Sequence, residues 1–191
     1  VKGEYDEAFF HLERGNRIKN DQSQYSIERM EKELQAQIDV CNETFFEDLG
    51  NGGHETKEPI FILGLPRTGT TLTHQIIASH PKARGVGESN VLHAYFLPNI
   101  KKEDFIKNIF KDNELNKKFI SKLSLSLGKN YEYFSKDKII IDKSPFNFFW
   151  IGFIKIIFPN AKIIHMNRDI KDTAVSIYNN LFGGVKMDWT Y

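Results

Sequence analysis

Gly64-Leu65-Pro66-Arg67-Thr68-Gly69-Thr70-Thr71 is the stretch of this sequence whose residue types and spacing speak most directly of chemistry. It follows a continuous apolar run at residues 60–63 and opens a segment in which Leu72, Ile76 and Ile77 share one helical face. A strand buried on both faces, a tight Gly/Pro turn and a helix start are predicted, with Thr70 and Thr71 in the first helical turn. In such a unit, successive backbone N–H groups converge with the positive end of the helix dipole, which is enough to bind a phosphate or sulfate. Gly64 and Gly69, followed by Thr70-Thr71, reproduce the Walker A spacing with threonine where the lysine belongs. A loop without that lysine is poorly built for a nucleoside triphosphate. Arg67 is the only cation inside the loop. The expected ligand is a dianionic group held by Arg67, backbone amides and hydroxyls.

Three further groups belong near this loop. Residues 84–86 read as a short strand leading into Gly87-Glu88-Ser89-Asn90. Loops at strand ends of an open α/β sheet collect ligands, which places Glu88 near the anion. Residues 138–142 form another buried-strand run and deliver Asp142-Lys143-Ser144-Pro145 to the sheet edge. The run also has the form of a Walker B strand ending in a metal-binding Asp, and so keeps a P-loop kinase or NTPase open as an alternative. Arg168 leaves a strand at residues 161–166, and Ser176 lies about two helical turns later, a gap of roughly 10 Å that one long side chain largely spans. The pair can meet a second phosphate. The same pattern also serves a structural ion pair of Arg168 with Asp169 or Asp172.

The elements that must position these residues follow from periodicity. Residues 3–19 form a helix with Tyr5, Ala8, Phe9 and Leu12 on one face, similar to the second half of a tetratricopeptide repeat. A noncatalytic tetratricopeptide-type binding module is therefore the second alternative. Ile27, Met30, Leu34, Ile38, Cys41 and Phe45 predict one amphipathic helix, with Cys41 as a buried core thiol. Residues 49–58, rich in Gly and charge, form a connector. Helical segments are expected at 91–97, 102–111 and 114–135, an aromatic-rich helix at 146–158 stopped by Pro159-Asn160, and an amphipathic helix at 169–182. The inner face of that last helix is read as Ala174, Ile177, Tyr178 and Leu181, with Gly183-Gly184 as its stop.

A hydrophobic content of 40% and a charged content of 27% place the 191 residues in the globular class. The net charge of +1 excludes a strongly basic nucleic-acid binder, so anion selectivity must be local. One cysteine makes no internal disulfide, and a cytoplasmic setting is the expectation. The longest apolar stretch, residues 148–158, is too short to cross a bilayer, and no membrane partner is expected. The chain starts at Val1 without methionine and stops just past a helix, as a fragment does.

Together, Pro66-Arg67-Thr68-Gly69-Thr70-Thr71 after a strand and Arg168-Asp169-Ile170-Lys171-Asp172-Thr173-Ala174-Val175-Ser176 resemble the two cofactor motifs of sulfotransferases that use 3′-phosphoadenosine 5′-phosphosulfate (PAPS). Residues 61–88, Asp142-Lys143-Ser144-Pro145-Phe146 and Phe158-Pro159-Asn160-Ala161-Lys162 look most like the branch of tyrosylprotein sulfotransferases and tetratricopeptide-repeat sulfotransferases. The resemblance implies that the first loop binds the 5′-phosphosulfate and that Arg168 and Ser176 bind the 3′-phosphate. It implies that Arg67 and Lys143 stabilise charge on the transferring group, and that Glu88 takes the proton from an acceptor hydroxyl on a protein, carbohydrate or small molecule. The product is then 3′,5′-ADP, and no metal is implied. His74, His80 and His93 are rival bases. The chain departs from the pattern in having one cysteine, Thr68 where many members have Ser, and no Gly/Lys-rich cofactor loop before Tyr191.

The expected architecture is a P-loop-like three-layer α/β domain with a central parallel sheet, preceded by N-terminal helices. Residues 1–20 are expected to be a partial tetratricopeptide-like helix and 21–56 an amphipathic helix and linker. Residues 57–191 are expected to be a C-terminally incomplete sulfotransferase domain, with a protein partner possible through upstream repeats.

Overall fold

A computed structural model describes residues 3–23, 25–49, 59–89, 92, 113–135, 137–180 and 182. The chain divides into two units. Leu34–Asn167 holds a parallel sheet, whereas Val1–Glu33 and Arg168–Tyr191 form the other unit. The boundaries fall between Glu33 and Leu34 and between Asn167 and Arg168.

The sheet consists of β1 (Ile60–Gly64), β2 (Ala83–Gly87), β3 (Ile139–Lys143) and β4 (Lys162–Met166), in the order β2-β3-β1-β4 and parallel throughout. The two apolar runs became its centre. Phe61, Ile62 and Leu63 of β1 and Ile140 and Ile141 of β3 are buried, as strands covered on both faces require. Side chains alternate across a strand, so Phe61 and Ile140 meet one layer while Ile62 and Ile141 meet the other. The first layer contains α5 (Asn113–Ser135) and α6 (Ile151–Ile157), which contribute Leu123, Leu127, Tyr131, Phe153, Ile154 and Ile157. Phe61, Tyr131 and Phe158 form an aromatic cluster there, with centroids 5.2–5.9 Å apart. The second layer contains α4 (Thr70–Ala78), whose Ile77 packs with Ile62, Ala83 and Ile141. This unit is thus a three-layer α/β fold.

Several local expectations change. The face of α4 is reversed: Leu72 and Ile76 are each 62% exposed, while Thr70, Thr73 and His74 turn inward beside Ile77. Thr73 Oγ1 donates to Met166 Sδ at 3.4 Å. The helix expected around residues 27–45 is two: α2 (Ile27–Val40) and α3 (Glu43–Leu49). Asn42 Nδ2 donates to Asp39 O at 3.0 Å, and such a side-chain bond competes with helix continuation. Cys41 packs against the core from this bend, and burial raises its thiol pKa. The aromatic helix begins as a 3₁₀ turn, Pro145–Trp150, before α6, because Pro145 starts it and Asn147 is drawn to Asp142. Residues 91–97 apart from Leu92, residues 102–111 and the linker at 50–58 lie outside the described residues, as does Gly183-Gly184.

In the other unit, α1 (Tyr5–Gln22) stacks Phe9 on Tyr178 at 5.7 Å, and Asn16 Nδ2 donates to Tyr178 O at 3.2 Å. Tyr178 ends α7 (Ile170–Tyr178), which is shorter than expected because Asn180 Nδ2 closes its last turn on Ser176 O. Thr173 and Ile177 are its buried positions, and Ala174 is exposed, which corrects the predicted inner face.

Candidate functional site

Three adjacent parallel strands end at one edge of the sheet, and each carries a candidate residue. β1 ends in Gly64 and runs into the loop containing Arg67; β2 ends in Gly87 before Glu88; β3 ends in Lys143. Ile62 of β1 stands beside Lys143, and Gly87 of β2 stands beside Asp142. Carboxyl ends of parallel strands are where ligand sites form in such sheets.

Gly64 has φ +147°, and a Cβ there would lie 2.5 Å from Met166 O and 3.1 Å from Thr68 Oγ1. Only glycine fits. Along Pro66-Arg67-Thr68-Gly69-Thr70, the sign of φ alternates: Arg67 (+69°) and Gly69 (+96°) are left-handed and their neighbours are not. Alternation of this kind turns successive N–H groups into one concavity, an anion nest. Holding a non-glycine residue such as Arg67 in that region costs about 1–2 kcal/mol, a strain that clusters at ligand sites. Gly69 is the N-cap of α4 and brings no side-chain cap, so the first-turn N–H groups of Thr70, Thr71 and Leu72 have no carbonyl within the helix. Thr68, expected to present its hydroxyl to the anion, donates it to Leu65 O at 2.7 Å and so builds the turn. Pro66 and Thr70 are buried, whereas Arg67, Gly69 and Thr71 are exposed.

Lys143 and Glu88 are brought together. Lys143 Nζ donates to Glu88 Oε1 at 2.5 Å, with the lysine side chain 9% exposed and the glutamate 52% exposed. The residues flanking Glu88 are fixed as well. Gly87 N–H donates to His74 Nε2 at 3.3 Å, and Ser89 Oγ donates to Asp142 Oδ2 at 2.5 Å. Asp142 is 1% exposed and also accepts from Tyr131 Oη at 2.6 Å and from Asn147 Nδ2 at 3.0 Å. Burial raises its pKa against the pull of these three donors. Tyr131 is pushed well above the usual phenol range, chiefly by its own burial and then by the Asp142 charge. His74 is held below the ordinary imidazole value by burial first and the nearby Lys143 second.

These partners decide between the readings of Asp142. Both of its oxygens are taken by protein donors, which makes it a structural carboxylate rather than the metal ligand of a Walker B strand. Among the described residues, no group of three or more His, Cys, Asp or Glu side chains could hold a metal. His80 Nδ1 accepts the Lys82 N–H within its own turn, and His93 lies outside the described residues. The Ser89, Tyr131 and Asn147 network escaped sequence reasoning. Leu123, Leu127 and Tyr131 do mark an inner stripe of α5 by their four-residue spacing, but spacing does not reveal a carboxylate on a strand.

In the other unit, Arg168 lies 3.6 Å from Asp172, the structural pairing weighed from the sequence. Asp169 caps α7 by accepting from the N–H groups of Lys171 and Asp172 at 2.9 and 3.0 Å. Ser176 is half-buried on α7 and Arg168 exposed before it. Both belong to this unit, whereas Arg67, Glu88 and Lys143 belong to the sheet unit.

Over 190 residues the chain is 33% identical to an uncharacterised protein of Aquifex aeolicus (strain VF5), covering 94% of this chain and 24% of that protein. Over 133 residues it is 28% identical to protein-tyrosine sulfotransferase A of Caenorhabditis elegans, covering 66% of this chain and 34% of that protein. The chain therefore spans about a quarter to a third of the length of these relatives. The sequence profile of the sulfotransferase family matches residues 59–191, from the residue before β1 onward. The chain belongs to the sulfotransferase family.

Proposed function

We propose that this chain carries donor-binding and proton-transfer residues of an enzyme that moves a sulfuryl group from PAPS to an acceptor hydroxyl and releases 3′,5′-ADP. The observation that carries the reading is the Lys143–Glu88 contact at the sheet edge that also bears the glycine-bounded loop. The loop fits a tetrahedral dianion: its φ alternation and the uncapped first turn of α4 both favour close backbone approach. Pro66, Arg67, Thr68, Gly69, Thr70 and Thr71 are assigned to the 5′-phosphosulfate, and Arg168 and Ser176 to the 3′-phosphate. PAPS supplies an activated sulfuryl group on a good leaving group.

The protein's part is positioning and electrostatics, as in phosphoryl transfer through a loose transition state. A new S–O bond forms to the acceptor oxygen, the bond to the bridging phosphate oxygen breaks, and the acceptor proton goes to Glu88. An ammonium has three donors, so the bond from Lys143 to Glu88 leaves two for charge on the departing oxygen. Arg67 supplies the second cation. A carboxylate is a weak base for a hydroxyl, so the proton leaves late, as the acceptor oxygen becomes acidic on bonding to sulfur. The acceptor hydroxyl belongs to a protein, a carbohydrate or a small molecule. The tyrosine specificity in the name of the nematode relative supports a protein tyrosine among these. A cytoplasmic setting is proposed from the single cysteine. Among the described residues, no helix is long and apolar enough to cross a membrane.

Calorimetric titration of the full-length protein with 3′,5′-ADP, 5′-AMP and ATP with Mg²⁺ tests the reading. The expected order is 3′,5′-ADP tightest, with 5′-AMP weaker by about tens of fold because two charge-assisted hydrogen bonds to the 3′-phosphate are lost. Preferential ATP binding would return the kinase or NTPase alternative, and no nucleotide binding would return the noncatalytic module.

A further inference from the structure

Glu88 stands between two residues that are both tied to other elements. Gly87 before it gives its N–H to His74 of α4, and Ser89 after it gives its hydroxyl to buried Asp142 of β3. The imidazole also lies close against β2: a Cβ on Gly85 would stand 2.5 Å from His74 Nε2 and 2.7 Å from Cε1. Any larger residue at 85 would displace the ring. Gly87 itself has φ +64°, the left-handed turn that glycine takes without strain. We propose that His74 is a positioning residue for Glu88: as a neutral ring seated on Gly85 it accepts the Gly87 N–H and, with the Asp142–Ser89 bond, sets the approach of Glu88 to Lys143 and the acceptor hydroxyl. This rests on the assignment of Glu88 as the base.

The geometry makes the device sensitive to protons. Neutral imidazole presents an acceptor at Nε2, whereas the protonated ring has two donors and would face the Gly87 N–H with another N–H. Burial, first, favours the neutral ring at His74. From β3 the Lys143 ammonium opposes protonation, and the Asp142 carboxylate and a backbone hydrogen bond with Ile141 act in the opposite sense. From β2 the neighbours are Gly85 and Gly87, since Arg84 and Val86 alternate to the other face. From β1, Ile60 and Ile62 pack toward this layer without charge. Acidification below the depressed pKa of His74 therefore releases the Gly87 bond.

The test uses His74→Phe, His74→Gln and Glu88→Gln in the full-length protein. Phe keeps a planar ring but removes the acceptor; Gln places an oxygen near the position of Nε2 and does not titrate. His74→Phe should lower kcat for transfer about tenfold or more, as misplacement of a catalytic group does, with 3′,5′-ADP affinity within about twofold of wild type. His74→Gln should recover most of that loss and remove the His74 contribution to the acidic limb of the pH–rate profile, leaving the limb set by Glu88. Wild-type kcat in His74→Phe, or an equal loss in both His74 variants, overturns the proposal while loss of transfer in Glu88→Gln leaves the sulfotransferase reading intact. Amide hydrogen exchange gives a readout independent of turnover: His74→Phe should speed exchange at Gly87 by about tenfold or more, with Ile62 and Ile141 unchanged. Unaltered exchange at Gly87 refutes the positioning role even if the wild-type protein transfers no sulfuryl group, a result that would instead overturn the proposed function.

Discussion

Replacing Tyr131 with Phe isolates the buried network beneath Glu88. The phenyl ring keeps the packing against Phe61 and Phe158, at 5.9 and 5.2 Å between centroids, and removes only the hydroxyl that donates to Asp142 Oδ2 at 2.6 Å. Asp142 retains Ser89 and Asn147, so the loss is one hydrogen bond to a charged acceptor, about 2 kcal/mol within the 1.5–3 kcal/mol usual for such bonds. The cost depends on pH with a definite sign. The folded-state pKa of Asp142 lies above its reference value of 3.8, so the folded protein binds its proton more readily than the unfolded chain. Ionisation of Asp142 then destabilises the fold as pH rises through the interval between those two values, and the penalty disappears below the lower one. Removing Tyr131's donor raises the folded pKa further. The difference between variant and wild type should therefore be largest near neutrality and shrink to about 1 kcal/mol once both are protonated, the range of a neutral hydrogen bond. Urea unfolding of both proteins at several pH values between about 7.5 and 4, with a common m-value, measures it. A cost that stays constant or grows on acidification would refute the role assigned to the Asp142 carboxylate.

Gly64→Ala should destabilise the sheet unit by about 2 kcal/mol or more, because the new Cβ meets a backbone oxygen that cannot rotate away. Gly87→Ala meets no atom within 4 Å and carries only the left-handed penalty of about 1–2 kcal/mol, so thermal unfolding should rank Gly64→Ala as the more damaging. Glu88→Gln should lower the single-turnover transfer rate by about 10²–10⁴-fold with nucleotide affinity nearly unchanged; parallel loss of both would make the residue structural. Arg67→Ala should weaken PAPS binding by about ten- to a hundredfold, the worth of a charge-assisted hydrogen bond, and a wild-type dissociation constant by calorimetry would remove Arg67 from the site.

The strands and the loop were legible because their signals are local. A run of apolar residues without polar alternation belongs to a strand covered on both faces, and β1 and β3 are indeed the central pair. Gly64 and Gly69 bound the turn because only glycine takes their backbone angles cheaply. Other features depend on which elements become neighbours. Periodicity finds the faces of α4 but not which one meets the sheet, and Leu72 and Ile76 turn outward. Glu88 and Lys143 are 55 residues apart and touch only because β2 pairs with β3 in a register that puts Gly87 beside Asp142. The same pairing fixes the company of Asp142, a strand-end carboxylate whose sequence matches a metal ligand. Burial among Ser89, Tyr131 and Asn147 made it a structural anchor, since local sequence sets a side chain's chemistry while tertiary packing decides which partners satisfy it.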